Sequence, residues 1–274
     1  MPRRTVTRQR AAPASAFSGG TIEVHRLEFG AFEAITPLND RFIEGVDRLR
    51  LTLDVKRVSR EMPEQPAASA RSLRAMFPSL RRHLCCGDSA FQRTFLREDG
   101  PPQRGDLGTE ETVDIAHLLE HLMIEFQHSI ASMKVCSGVT CGYETPRDRY
   151  DIFVESPGRS ISLLSASLAL NLLDDLLAGA GPDPVYSAAI GLARHLHAAP
   201  WTLVTARSAA LAIPTGLALA EQATALLEDL GHIEAVEASI NYSRVLVYAL
   251  AREPRRTDEL RSTSDLDLNS AGIV

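Results

Sequence analysis

From Glu110 to about Met133 the chain repeats its apolar residues at a spacing that only an α-helix can use. At about 100° per residue, Ile115, Leu118, Leu119, Leu122, Phe126, Ile130 and Met133 fall in one sector. A stripe that long has to face a core. The same wheel gathers His117, His121 and His128 on the other side, with Asp114 and Glu125 beside them. The helix is therefore expected to have one anchoring face and one polar face, the second turned to solvent or into a cleft roofed by another element.

The flanking segments suggest what it is anchored to. "TIEVHRLEFGAFEAI" alternates as a strand, while "PLNDRFIEGVDRLRLTL" is expected to be a helix capped by Asn39 or Asp40, with Phe42, Val46 and Leu49 on one stripe. Val58 to Ala70 is expected to be a loop, and "SLRAMFPSLRRHLC" a short helix interrupted at Pro78. "REDGPPQRGDLG" breaks regular structure. A hairpin is expected next, Val135 to Thr140 followed by "RYDIFVE", and then the apolar helix "SISLLSASLALNLLDDLLAGAG". Three further helices are expected around Tyr186 to His197, Thr215 to Leu230 and Ile233 to Ala251.

The fold class implied is α+β: a small, mainly antiparallel sheet covered by helices over 21–180, with an added α-helical part over 181–252. Residues 1–20 form a basic tail and 253–274 a tail without a core pattern, both expected to lack order. "AALAIPTGLALAEQATALL" is apolar on more than one face, so the late helices must pack on the first domain or on a second copy. A homo-oligomer through them is the expectation.

Composition narrows the function classes. The net charge of −6 supplies no basic field for nucleic acid. No uninterrupted apolar run approaches the roughly 20 residues of a bilayer span, and the basic start is not followed by the apolar stretch of a secretory signal. Cys85, Cys86, Cys136 and Cys141 lack C-x2-C spacing, so reduced thiols in a cytoplasmic protein are expected. No phosphate-binding G-x-x-x-x-G-K-S/T run occurs.

Within the helix, "HLLEH" places His117 and His121 one turn apart with Glu120 just before the second. Two imidazoles so spaced reach one zinc ion, and a neighbouring carboxylate can take a proton from metal-bound water. This is the inverted order of a known zinc-hydrolase motif. The plainer alternative is a solvated face with polar residues at convenient spacing. A third ligand must come from elsewhere, because Glu125 lies too far along the axis and suits a role holding a histidine. Glu155, ending the "DIFVE" strand, is the first candidate and Asp174 the second. Tyr143, Arg147 and Arg149 near the hairpin turn fit a solvated turn, with contact to a carboxylate-rich substrate as the functional alternative. His195 and His197 diverge on a helix and are expected to suit its C-terminal dipole.

"HLLEHLMIEFQ", "GVTC", "YDIFVE" and "FPSLRRHLCC" together resemble the N-terminal domain of cyanophycin synthetase over roughly Thr21 to Ala178. That domain carries H-x-x-E-H-x-x-x-E-x-Q, G-K/R-T-R and Y-x-V-V-F-E patterns. The resemblance implies a metal-dependent peptidase, pitrilysin-like in motif, that cuts an Asp–Arg polymer. It implies His117 and His121 as zinc ligands, Glu120 as general base and Glu155 as acidic ligand, and it places His83 on the family pattern; His83 either lines the cleft or, on the plainer reading, caps a helix end. Val139 and Cys141 stand where the family has basic residues, which puts the substrate in question. The leading expectation is thus a zinc-dependent peptidase or amidase with a peptide substrate. The rival is a non-catalytic module that binds a peptide or a partner subunit.

Overall fold

The computed structural model describes residues 21–39, 41–56, 66–82, 110–133, 136–200, 202–240 and 243–251. Both expected tails, Asp40, His83, Cys85, Cys86 and the breaker before the long helix lie outside them.

Four strands build the main sheet. They are β1 (Ile22–Ala31), β2 (Asp47–Val55), β3 (Gly138–Gly142) and β4 (Arg149–Glu155), all antiparallel in the order β1-β2-β4-β3. The expected strand and hairpin are present, and the class is α+β. The expected helix from Pro37 is not. A 3-10 turn at Glu33–Leu38 gives way to β2, and Gly45 adopts the left-handed φ of +76° on the way. Leu49, Leu51, Leu53 and Val55 recur every second residue and are all fully buried. That period of two outweighs the helical spacing of Phe42, Val46 and Leu49 once two strands are available to pair.

The two faces of β2 differ completely. Its leucines join Ile152 and Val154 in the core beneath the helices. Its alternate residues Arg48, Arg50, Thr52 and Asp54 face the other way. Antiparallel register sets Arg48 opposite Glu155, Thr52 opposite Asp151 and Asp54 opposite Arg149. Arg48 Nη2 lies 3.2 Å from Glu155 Oε1, and Arg50 Nη2 lies 2.6 Å from Asp151 Oδ2. Arg50 also reaches Glu28 on β1. Phe32, Ile35 and Phe42 pack on Phe153 over this face, and the Arg48 guanidinium stacks 4.2 Å from the Phe42 ring centre.

The helices are α1 (Pro66–Met76), α2 (Glu110–Ala131), α3 (Arg159–Leu177), α4 (Pro184–Ala198), α5 (Ala206–Ala212) and α6 (Leu217–Asp229). Residues 66–70, expected in a loop, open α1, where Pro66 suits a first turn. Pro78 ends that helix as expected and starts a 3-10 turn, Pro78–Arg82. α2 packs on α3, α4, β3 and β4. α3 is long and apolar enough to cross a bilayer by length and composition, yet most of it is buried inside the fold.

The last expected helix is a hairpin instead. β5 (Ile233–Ile240) and β6 (Ser243–Leu250) pair antiparallel across a two-residue connection, and Val204 bridges to Tyr248. "IEAVEASI" and "SRVLVYAL" are β-branched and aromatic enough for strands. Gly231 at φ +66° turns the chain out of α6 into β5.

Arg48→Met should cost about 3–5 kcal/mol in urea unfolding, because it leaves Glu155 buried without its cation. The double variant Arg48→Met/Glu155→Leu should recover most of that loss. Equal instability of the single and double variants would show that the pair is not what the buried face depends on.

Candidate functional site

From Ile115 to Ile130, α2 is buried nearly all round. The apolar stripe expected to face the core does so from Ile115 to Ile130, while Met133 lies past the helix end at Ala131 and is half-buried; β3 and the Pro78–Arg82 turn cover much of the rest. The polar side therefore does not lie open: Glu120, His121, Glu125 and Gln127 are buried, His117 is half-buried and His128 is exposed.

Glu120 points at β3. Thr140 Oγ1 donates to its Oε2 at 2.6 Å, and the strand approaches so closely that a Cβ on Gly138 would sit 2.6 Å from Oε1 and 2.8 Å from Cγ. Gly138 and Thr140 are two apart and so share the helix-facing side of β3. Removal from water lifts the Glu120 carboxyl from 4.5 to about 7, against the downward pull of the Thr140 hydroxyl. Neither partner was among the residues put forward from sequence. The G-x-T spacing on a strand was the available signal.

His117 and His121 lie side by side, ring centres 4.6 Å apart and planes 25° apart. The one-turn spacing brings them together as expected. Their orientation is a stack. An ion sits close to the plane of each imidazole that binds it, and planes so nearly parallel meet far beyond the rings. A shared ion therefore requires one ring to turn about χ2. Catalytic zinc takes three protein ligands, and among the described residues no three His, Cys, Asp or Glu side chains gather as a metal site.

The other sequence candidates are placed elsewhere. The Glu155 side chain points to the sheet face away from the leucine core, where Arg48 and the Ser137 amide donate to it, both at 3.2 Å. Alternation along β4 decides this, since Val154 fills the core side. Glu125 accepts from Ser79 Oγ at 2.6 Å, which ties α2 to the 3-10 turn. Arg149 makes a two-toothed pair with Asp54, at 2.7 and 3.0 Å, and Asp54 also meets His25 at 2.7 Å. Tyr143 donates to Asp151, joining the buried charged face. Asp174 is in the last turns of α3, where burial and then Asp175 raise its carboxyl.

Among the described residues, neither Cys136 nor Cys141 is activated as a nucleophile. Burial, followed by the carboxylates of Glu155, Glu120 and Glu125, pushes the Cys136 thiol far up, and burial with Asp151 lifts Cys141 to about 11. Two turns beyond Glu120, on the same side of α2, the Gln127 amide is buried with no hydrogen-bond partner on either atom. Such a group costs about 1–3 kcal/mol.

A second histidine pair went unread in the sequence. His197, at the end of α4, and His232, just before β5, bring their Nε2 atoms to 3.1 Å. Burial, then His197, drives the His232 imidazole down to about 3, and burial also lowers His197. No local pattern announces a contact between residues 35 apart.

No model of a known protein family matches the chain, and no curated protein sequence matches it.

Two outcomes follow from the Glu120 environment. Gly138→Ala should destabilise the fold by about 1–3 kcal/mol through overpacking. Combined with Glu120→Ala it should cost less than the two separate losses added, a coupling that a double-mutant cycle reads directly. In metal-free protein the folded state holds the Glu120 proton more tightly than the unfolded chain does. Stability should therefore fall as pH rises from 4.5 to 7, by about 3 kcal/mol, and Glu120→Gln should flatten that slope. Identical pH profiles for the two proteins would contradict this account.

Proposed function

We propose that the chain is a metal-dependent hydrolase acting on a peptide-like amide, related to the N-terminal domain of cyanophycin synthetase. The observation that carries the reading is the Glu120 carboxyl, withdrawn from water, hydrogen-bonded by Thr140, and flanked in the helix by His117 and His121. His117 and His121 would hold the ion as two of its ligands after one ring turns. A zinc ion so held supplies a bound water whose pKa is near neutral.

The chain's own residues do the rest. Thr140 fixes the Glu120 rotamer by donating to Oε2, which leaves Oε1 to accept a proton. Gly138 lets β3 lie against the carboxyl without displacing it. Packing by β3 and β4 limits water around the group, so its charge state answers to its neighbours and not to bulk solvent. Val139 and Cys141 replace the basic pair of the family pattern, and Cys141 is buried on the charged side of the sheet. An Asp–Arg polymer is proposed as one peptide-like candidate, and the homo-oligomer and cytoplasmic setting stay proposals with it.

A specific observation favours the rival, a non-catalytic peptide-binding or subunit-interaction module. Glu155, the carboxylate best placed in sequence to complete the ligand set, is engaged by Arg48 and Ser137.

Metal content and hydrolysis measured together separate the two. A hydrolase should hold stoichiometric zinc that His117→Gln loses. Glu120→Gln should keep the metal while cleaving amide substrates, β-linked Asp–Arg polymers included, about 10²–10⁴-fold more slowly. A folded wild-type protein that binds no zinc at His117 and cleaves nothing in the panel would establish the module.

A further inference from the structure

Outside α2, three elements meet around two imidazoles. The end of α4 carries His197, the residue after Gly231 is His232, and the start of α3 carries Ser160. The two rings stand 5.1 Å apart between centres and 42° apart in plane, and their Nε2 atoms converge to 3.1 Å. Ser160 Oγ lies 3.5 Å from the other nitrogen of His232, Nδ1. His232 is buried, while His197 is half-buried and keeps one side toward solvent.

We propose that His197 and His232 form a binding site for a divalent first-row transition-metal ion of the zinc or nickel type. Two nitrogens bound tetrahedrally at about 2.0–2.1 Å lie about 3.3 Å apart. The observed separation is within a few tenths of an ångström of that, and the rings converge at their nitrogen edges. The His117–His121 stack does not do this.

Without metal, one Nε2–H donates to the lone pair of the other. With metal, both lone pairs point at the ion and the displaced proton moves to Nδ1 of the same ring. No net proton is released. On His232 that Nδ1–H faces the Ser160 hydroxyl, which accepts it and fixes the tautomer, as partners of metal-bound histidines commonly do. Imidazole pairs favour nickel, copper and zinc over magnesium or calcium. Water fills the remaining positions from the solvent side of His197. The ion would clamp α4 to the residue that leads into the C-terminal hairpin, so its effect is on the attachment of that hairpin.

The test is a calorimetric titration of the full-length, chelator-treated protein with Zn²⁺ and Ni²⁺ at pH 7.5. His197→Gln, on the half-buried partner, should remove one bound equivalent, and His117→Gln should leave that equivalent in place. Ser160→Ala, which removes only the hydroxyl, should weaken the same equivalent about tenfold. In long-range ¹H–¹⁵N spectra, zinc should move the Nε2 resonances of His197 and His232 together, which requires no variant to fold. An unchanged stoichiometry and affinity in His197→Gln, or a spectrum in which zinc leaves both Nε2 resonances in place, would overturn the proposal. Loss of the same equivalent in both His117→Gln and His197→Gln would also overturn it, because the two sites are independent.

Discussion

A guanidinium with no exposed surface holds the sheet in register. Arg48 is buried to its last atom, and a buried charge is tolerated only when it is paired. Its partners are Glu155 on β4 and the carbonyls of Ile43 and Val46, with the Phe42 ring stacked over it. Next to it Arg50 joins Asp151 and Glu28, and beyond that Arg149 joins Asp54. A one-residue slip of β2 would turn four charged or polar side chains into the leucine core and four apolar ones out of it. The ladder therefore admits one alignment.

That alignment reaches the α2 site through β4 and β3. With β4 fixed by β2, the pairing of β3 to β4 turns Gly138 and Thr140 toward the helix and Val139 and Cys141 toward the charged face. Glu120 is then met by a hydroxyl and by a strand with no side chain in its way. The acid–base character of that carboxyl thus depends on a salt bridge on the far side of the sheet. The connection is mechanical: one strand's pleat presents alternate residues to the two faces.

The two histidine pairs show how little spacing alone says about coordination. His117 and His121 share a helix face, and their rings lie stacked. His197 and His232 come from separate elements, and the turn at Gly231 aims their nitrogens at each other. Helical spacing brings residues near one another. The orientation of their donor atoms is set by whatever packs around them.

Local patterns fixed the elements whose period was unambiguous. α2, α3, α4 and α6 follow from apolar spacing, with Gly179 and Gly231 ending α3 and α6, and "RYDIFVE" alternates as plainly as the strand it forms. The same alternation was present in "DRLRLTLDV", with charges on one side that complement those of β4, but an overlapping helical spacing masked it. The last hairpin was masked in the same way by its greasiness. The fold class, the one-turn neighbourhood of His117 and His121, and the adjacent Glu120 were determined by sequence, because each depends on residues within one or two turns. The partner of Glu155, the strand beneath Glu120 and the meeting of His197 with His232 were decided only by the tertiary structure. Those contacts span 20 to 107 positions, and no local periodicity encodes which distant atoms will share a buried space.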